Sequence, residues 1–340
     1  MKEMVLNSRK PRIKRSLSFT HYPSVHVYAG HHSTIGGSEN YTYQVINALA
    51  PCRLSIDWGV TPVDPGLFGV RLPDRPTVMV EPDVFINLSD RELRLPMGKY
   101  NIAVIFGLVR PEWKDRIRDF EVVTVSEFSR GEIKRIWGVD STVIYPCIDL
   151  SRFYALPKRP QIMSVGSFSG QHGKKQLEMI EVFKYFFKGW KLLLVGAVDD
   201  GLYLDRCMDM AVGENIEFTA GASFDELSKL YAESAMYWNF TGLEETEASA
   251  FESFGTATLE AVASRCRTFV HDSGGSVEIP GVHLWSDIQL MVNVAIAGNP
   301  TIDQVPEHDQ LSEFSQATFA RRWLDLVGVI GALSSIRGMS

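Results

Sequence analysis

The sequence predicts an α/β protein built from two doubly wound domains that face a cleft. Three observations support this: a length of 340 residues, an alternation of β-rich runs with amphipathic helical stretches, and a linker-like break at Tyr154–Pro160 (YALPKRP). A chain of this length is too long for one ordinary domain and suits two. We therefore expect one domain over residues 1–155 and a second over residues 156–311. A final segment, residues 312–340, carries a helix that we expect to pack back toward the first domain.

The first domain alternates predicted strands with predicted helices. Helical spacing marks Ser38–Ala50, and Phe128–Trp137 is a second helix with Ser126 as its cap and Gly138 as its stop. Alternation of this kind predicts a mainly parallel sheet with crossover helices. The predicted strands are Ser24–Tyr28, Arg53–Trp58, Thr77–Val80, Ile102–Phe106 and Glu121–Val125.

The second domain repeats this alternation after the break. It opens with a strand, the glycine-rich loop Gly166–Gly173 and a helix, and an aromatic group near the end of that helix is most simply core (Phe183, Tyr185, Phe186 and Phe187). The predicted strands are Gln161–Val165, Trp190–Val195, Ile216–Thr219, Met236–Phe240 and Arg267–His271. The predicted helices are Gln176–Phe187, Phe224–Ala232, Thr256–Ser264 and, in the final segment, Phe314–Leu326.

Composition and charge narrow the class of protein. Apolar residues make up 45% of the chain and charged residues 22%, which is an ordinary globular balance. The formal net charge of -7 argues against a nucleic-acid binder, whose surface is usually basic. The four cysteines form no C-x-x-C pair, so a disulfide framework or a zinc site is disfavoured and a reducing compartment is favoured. We expect a cytoplasmic protein.

The N-terminal stretch Met1–Ser16 is basic and has no apolar run after it, so it does not have the pattern of a signal peptide. Two interpretations remain open. The stretch is either an arm that contacts anionic membrane lipid or a lipid-diphosphate acceptor, or a solvated tail. The first interpretation predicts peripheral membrane contact.

The segment Phe251–Ala263 (FESFGTATLEAVA) carries the strongest chemical signal. Gly255 is followed at once by a helix-forming run, and the free amides and positive dipole end of a helix N-terminus suit a diphosphate. Glu252 precedes this helix and Glu260 lies just over one turn inside it. Their carboxylates are acceptors for sugar or ribose hydroxyls. Spacing alone also fits one solvated glutamate and one on the helix surface.

The run from Glu252 to Glu260 reproduces the E-x7-E signature, and the chain thereby resembles the retaining GT-B glycosyltransferases of the large "group 1", family 4-like type. The resemblance extends over most of the chain, which makes it far more specific than a single glycine loop. It implies two Rossmann-like domains, an acceptor-binding one followed by a donor-binding one. The other matching segments are Ile35–Leu49 (IGGSENYTYQVINAL), Thr124–Phe153, Met163–Phe183 (MSVGSFSGQHGKKQLEMIEVF), Thr241–Glu247 and Ser273–Glu278.

The resemblance assigns roles to particular positions. It implies that Glu260 holds the donor ribose, that Glu252 lies beside the transferred sugar, and that Glu252 and Gly37 are the catalytic positions. A lysine together with a helix N-terminus stabilises a leaving diphosphate without a metal. The implied donor-binding positions are Gly36, Gly37, Ser167, Lys174, Lys175, Glu252, Phe254, Gly255, Thr256 and Glu260.

Two departures from the family pattern concern donor and sugar contacts. Ser167 stands where the family usually has arginine, so phosphate binding is weakened unless a lysine substitutes. The strand end Ile105–Gly107 lacks the histidine that relatives often have there. His31 and His32, just before the first glycine loop, are candidate acceptor contacts. No acidic or cysteine partner stands at metal-ligand spacing from this pair, and we expect no metal and no cofactor.

The sequence therefore predicts a transferase that moves a hexose or deoxyhexose from a nucleoside-diphosphate sugar to a saccharide or lipid-linked acceptor, with retention of configuration. Two alternatives stay open. One is a nucleotide-sugar epimerase or hydrolase on the same fold. The other is a catalytically weak GT-B module that binds sugar or a partner transferase, and the missing arginine and histidine favour it.

Overall fold

A computed structural model describes residues 23–30, 36–58, 81–89, 91–107, 109–170, 173–297 and 308–328. These residues form two separate parallel sheets of six strands each, one from each half of the chain. The predicted architecture of two doubly wound domains is confirmed. The last strand of the first sheet ends at Val143 and the first strand of the second begins at Arg159. The break at Tyr154–Pro160 therefore lies between the two sheets except for its last two residues, which begin that strand.

The first sheet has the strand order β2-β1-β3-β4-β5-β6. The helices beside it are α1 (Gly37–Ala48) and α2 (Glu127–Trp137). The cap and stop predicted for α2 are confirmed: the Ser126 hydroxyl accepts from the Ser129 amide, and Gly138 ends the helix at a φ of 73°. The strands are β1 (Ser24–Ala29), β2 (Arg53–Trp58), β3 (Val84–Asn87), β4 (Tyr100–Ile105), β5 (Glu121–Thr124) and β6 (Thr142–Val143).

The second sheet has the order β12-β11-β10-β7-β8-β9. Its strands are β7 (Arg159–Val165), β8 (Lys191–Gly196), β9 (Ile216–Ala220), β10 (Ser234–Asn239), β11 (Arg267–His271) and β12 (Val282–Trp285). Its helices are α3 (Gln176–Phe186), α4 (Gly201–Ala211), α5 (Phe224–Glu233), α6 (Thr256–Ala263) and α7 (Ile288–Ala297).

In each sheet the chain order reverses at one point, between β1 and β3 in the first and between β7 and β10 in the second. Ligands of doubly wound sheets bind outside the carboxyl ends of the strands at such a point. The fold therefore marks one edge of each sheet as the place for a site.

The last helix, α8 (Gln316–Leu326), packs against α1 of the first domain. Phe319 and Trp323 are buried there, and the ring of Tyr41 meets both edge-on. The Gln316 side-chain amide also donates to the Gln44 side chain at 3.2 Å. Helix α8, the last described helix, therefore lies on the first domain.

One prediction, the core role of the aromatic group at the end of α3, needs correction. Two other predictions concern residues that the structure does not describe. Phe183 and Phe187 are buried, but Tyr185 is 73% exposed and Phe186 is 40% exposed, so the prediction of a core role is wrong for those two. Positions 183 and 187 share one helix face, whereas 185 and 186 turn away from it. The predicted strand Thr77–Val80 and the stretch Met1–Ser16 lie outside the described residues.

Among the described residues, no helix combines the length and the apolar character needed to cross a membrane. The four cysteines all lie in that part of the chain and are buried free thiols.

Candidate active site

A cavity of about 580 Å³ lies between the carboxyl ends of the two sheets. This volume falls in the usual range for small-molecule sites. Both domains contribute to its walls. The first domain supplies Gly36, Gly37, Ser38, Tyr41, Phe106, Gly107, Val125 and Pro146, and the second supplies Ser164–Ser167, Lys174, Met179, Gly196, Ala197, Asp199, Tyr237, Asn239 and Glu252–Thr258.

Helix α6 presents its N-terminus to this cavity. Gly255, at the N-cap position, has a φ of 92°, which is favourable only for glycine, and no side chain caps the helix. A Cβ on Gly255 would lie 2.5 Å from the Ser276 hydroxyl. The first turn therefore keeps amide groups and a positive dipole end for an anion in the cavity.

A buried network holds this loop in place. The Asn239 side-chain amide donates to the Thr258 hydroxyl at 3.0 Å and to the Ser276 hydroxyl at 3.4 Å. The Gly275 amide donates to the Glu252 carbonyl at 2.7 Å. A Cβ on Gly275 would lie 2.1 Å from the Ser253 carbonyl oxygen, so only glycine lets the two loops approach this closely. These contacts fix the loop from Glu252 to Gly255 against Ser276 and against the turn that begins at Gly275.

Lys174 lies on the cavity wall and forms a salt bridge with Glu252. Both side chains are mostly buried, with 31% and 19% of their surfaces exposed. The Lys174 stem passes over Gly166, where a Cβ would lie 2.4 Å from its Cγ. The two charged residues that the E-x7-E resemblance associates with phosphate and sugar are thus in direct contact.

Lys175, the neighbour of Lys174, faces different surroundings. Its φ of 63° places it in the left-handed region, and its ammonium group pairs with Glu245 at 2.7 Å. Among the described residues, the cavity lining includes Lys174 and leaves out Lys175. Ser167 does line the cavity, and its carbonyl accepts from the Gln176 side chain at 3.0 Å.

The loop Gly36–Gly37 faces α6 across the cavity. A Cβ on Gly37 would lie 3.8 Å from the Thr256 hydroxyl, which is ordinary contact distance. Gly37 begins α1, so two helix N-termini from different domains lie on opposite sides of one space. The structure brings together the two glycine-containing segments that the sequence analysis singled out.

A further contact between the domains joins Gly107 and Ser253. A Cβ on Gly107 would lie 2.2 Å from the Ser253 hydroxyl. The strand end Ile105–Gly107 therefore contacts a serine of the other domain. Gly107 and the buried residues Tyr237 and Asn239 line the cavity but were missed as site residues, because nothing in their local sequence shows that distant loops meet there.

Glu260 is buried and lies outside the described lining of the cavity. Burial raises the pKa of this carboxyl from 4.5 to about 7, and the nearby Tyr231 hydroxyl offsets part of that effect. Among the described residues, the Tyr231 hydroxyl has no hydrogen-bond partner of normal geometry. Tyr237, on the cavity wall, is near both Glu252 and Glu260, and burial together with these carboxylates raises its pKa. A ribose contact would require the Glu260 carboxylate to turn from Tyr231 toward the cavity.

Asp199 and Asp200 lie in the bend between β8 and α4. Asp200 caps α4 by accepting from the Tyr203 amide at 3.1 Å, and Asp199 lines the cavity. Within the described ranges, no group of three or more histidine, cysteine, aspartate or glutamate side chains could hold a metal ion. His31 and His32 lie outside the described residues, and their predicted acceptor role stays a prediction.

Comparison with known proteins gives one curated relative and many structural ones. No protein-family model matches the chain. A mouse protein named GDP-Man:Man(3)GlcNAc(2)-PP-Dol alpha-1,2-mannosyltransferase is 24% identical over 204 residues, which is 52% of this chain. The match spans only 37% of the length of that relative.

Solved glycosyltransferase structures resemble the whole described fold. A glycosyltransferase from Rickettsia africae superposes with a TM-score of 0.69 at 16% identity, covering 90% of this chain and 98% of its own. The Anabaena protein HepE, in complex with UDP and glucose, superposes with a TM-score of 0.70 at 13% identity, covering 90% and 99%. Sucrose-phosphate synthase from Thermosynechococcus elongatus gives 0.65 at 15% identity, covering 91% and 99%. The chain therefore has the GT-B fold of these glycosyltransferases, with two Rossmann-like domains facing one cleft.

Proposed function

We propose that this protein is a glycosyltransferase that carries a hexose or deoxyhexose from a nucleoside-diphosphate sugar to a saccharide or lipid-linked acceptor. One observation carries the proposal: Gly36–Gly37 of the first domain faces the uncapped α6 N-terminus of the second, across a cavity that also contains Lys174 and Glu252. Such a space offers positive charge and free amides for a diphosphate, beside a carboxylate acceptor for hydroxyls. Structures of HepE with UDP and with UDP-glucose support the same class of donor.

In this proposal, Lys174 changes its partner from Glu252 to the diphosphate when the donor binds. In this structure its charge is paired with that of Glu252. An arriving diphosphate takes over the lysine, because two phosphate groups carry more negative charge than one carboxylate. Glu252 is then free to accept hydrogen bonds from the sugar hydroxyls. Ser167 has no bidentate group, so Lys174 and the α6 amides supply most of the phosphate contacts.

The chemistry we propose retains the anomeric configuration and needs no metal. The acceptor hydroxyl attacks the anomeric carbon on the face from which the diphosphate leaves. The bond from that carbon to the diphosphate oxygen breaks, and the leaving phosphate takes the hydroxyl proton. Lys174 and the α6 dipole stabilise the charge that develops on the phosphate. Glu252 and the Gly36–Gly37 loop position the reactants, and the walls from both domains exclude water.

The acceptor binds to the first domain in this proposal, and the basic stretch Met1–Ser16 brings the protein to an anionic membrane surface. The curated mouse relative is named for the acceptor Man(3)GlcNAc(2)-PP-Dol, which supports a lipid-linked acceptor. Flotation with anionic vesicles tests the arm: replacing its lysines and arginines by glutamine abolishes binding if the arm is the contact. Unchanged flotation leaves the solvated-tail interpretation.

Thermal unfolding with UDP, GDP, dTDP and ADP, each in EDTA, tests the donor site. At about 100 times its dissociation constant, a nucleotide stabilises the protein by about 2.7 kcal/mol. We expect a rise in Tm with one nucleotide, and the same rise to be absent in Glu260→Ala if the carboxylate holds the ribose. A rise that persists in the variant contradicts the ribose role.

Turnover of the donor with and without added acceptor separates the three candidate functions. A transferase consumes donor with the acceptor and forms a new glycoside. An epimerase or hydrolase consumes it without any acceptor. A binding module shows nucleotide binding with no turnover, and that outcome would overturn the transferase proposal.

A further inference from the structure

Glu278 of the second domain reaches across to helix α2 of the first domain. One carboxylate oxygen accepts from the Glu127 amide at 2.8 Å, and the other accepts from the Phe128 amide at 2.8 Å. The third amide of that turn, at Ser129, is capped from within by the Ser126 hydroxyl at 3.0 Å. The first turn of α2 is therefore capped jointly by its own domain and by the other one.

We call the two hydrogen bonds from the α2 amides to Glu278 the clasp, and such a contact can form and break reversibly. A carboxylate at a helix N-terminus gains from the helix dipole and from two charge-assisted hydrogen bonds. In an open arrangement both partners would be hydrated, so the net gain is modest. Such a contact favours one arrangement of the domains without locking it.

The same short turn, residues 275–278, also contacts the loop that carries Glu252 and Ser253. At the start of the turn the Gly275 amide donates to the Glu252 carbonyl at 2.7 Å. At the end of the turn Glu278 accepts from the first amides of α2. Beside it, the rings of Phe128 and Phe251 approach to 6.0 Å between centroids. A Cβ on Gly275 would lie 2.9 Å from the Ser126 hydroxyl. One turn thus connects Glu252 in the cavity with the first domain.

We infer that Glu278 is a positioning residue: its carboxylate, held on the α2 N-terminus, keeps the walls of the first domain opposite Glu252 and the α6 N-terminus. This inference rests on the proposed function, since it concerns the alignment of donor and acceptor. Glu278 lies outside the described lining of the cavity, and it acts through α2, whose first amides it holds. A misplacement of about 1 Å can lower turnover by about 100-fold.

The test compares Glu278→Ala and Glu278→Asp with Glu217→Gln as the matched control. Glu217 is a half-exposed glutamate of the same domain, paired with Lys191. We expect Glu278→Ala to lower kcat by about 10- to 100-fold while the Kd for the nucleotide, which binds the second domain, stays the same. Glu278→Asp should recover part of the loss, because it keeps the charge. The control should match the wild type.

A readout that needs no activity accompanies the kinetics. Hydrogen exchange at the amides of Glu127 and Phe128 should accelerate in Glu278→Ala, and small-angle scattering should show a larger radius of gyration than in the control. If these changes occur while wild type shows no transfer, the clasp stands and the proposed function fails. Wild-type kcat together with unchanged exchange would overturn the inference. Loss of nucleotide binding in Glu278→Asp would also overturn it, since the residue would then only maintain the fold of the donor domain.

Discussion

Lys174 and Lys175 show what single residues reveal only in the folded chain. In the sequence they are equivalent basic neighbours at the start of a helix. The left-handed φ of 63° at Lys175 turns its side chain to Glu245, whereas Lys174 enters the cavity and meets Glu252. A left-handed conformation at a helix start depends on tertiary contacts, and a lysine in the sequence gives no signal for it.

We predict that Lys174→Gln lowers kcat by about 100- to 1,000-fold, because it removes one fixed positive charge from the leaving diphosphate. Lys175→Gln should have a much smaller effect, since its partner is Glu245 outside the cavity. Lys188→Gln, which changes a 73% exposed side chain, serves as the control. Steady-state kinetics of all three variants give the kcat values to be compared. Greater sensitivity at Lys175 would place the diphosphate elsewhere.

Glu260 gives a prediction about pH. Burial raises the pKa of its carboxyl from 4.5 to about 7. In the unfolded chain the same carboxyl releases its proton first, so the free energy of unfolding contributed by this group is highest below pH 4.5 and falls as the pH rises through about 7. The cost at high pH is up to about 3 kcal/mol, since a tenfold change in a protonation equilibrium corresponds to about 1.4 kcal/mol.

Glu260→Gln removes this ionisation and keeps the shape of the side chain. We expect the variant to be more stable than wild type at pH 8, with the difference shrinking toward pH 5. Urea unfolding at the two pH values measures it, with the exposed Glu217→Gln as control. A difference that does not depend on pH would show that Glu260 is ionised throughout this range.

At the scale of elements, helix α6 was predicted to begin at Thr256, and it does. The sequence signal is strong, because Gly255 indicates a turn and the helix-forming run after it indicates where the helix begins. Three strands and two helices were missed, namely β3, β6, β12, α4 and α7. Strand β3 is four buried residues and β6 only two, so neither is long enough to show alternation. Their existence depends on pairing with β1, β4 and β5, which the sequence does not display.

The α6 N-terminus also gives a paired test with two glycines of similar backbone. Gly255→Ala and Gly213→Ala both place alanine at a positive φ, 92° and 81°, and each should cost about 1–2 kcal/mol of stability. Only at Gly255 does the added Cβ meet another atom, the Ser276 hydroxyl at 2.5 Å. We expect nucleotide binding to be lost in Gly255→Ala and kept in Gly213→Ala, as measured by calorimetry. Equal binding would show that this loop tolerates displacement.

At the scale of the whole molecule, one cluster of buried side chains runs through both domains. It joins Val27 and Ile46 of the first domain to Met163 and Leu259 of the second, and it includes Phe319 and Trp323 of α8. Two domains that share a core should unfold together rather than one after the other. The sequence predicted the two domains, but a shared core depends on contacts between residues far apart in the chain, which local patterns do not encode.

We predict that Trp323→Ala lowers the stability of both domains in a single transition. Trp323 is fully buried, and loss of a large buried aromatic costs about 3–5 kcal/mol. Differential scanning calorimetry checks this by comparing calorimetric and van't Hoff enthalpies. Tyr185→Ala, at a 73% exposed position, is the control and should change little. Two separated transitions in the variant would mean that the domains unfold independently.

The return of the chain to the first domain limits how the molecule can move. The backbone connects the sheets between Val143 and Arg159, and α8 then lies on α1. Ile148 on the outward path donates its amide to the Phe314 carbonyl on the return path at 3.0 Å, and it pairs with Ser315. The two segments that connect the domains lie side by side, so both should bend about the same hinge axis. Opening should therefore follow one rotational coordinate, and a fluorescence distance between labels on opposite lips of the cleft should report the whole motion.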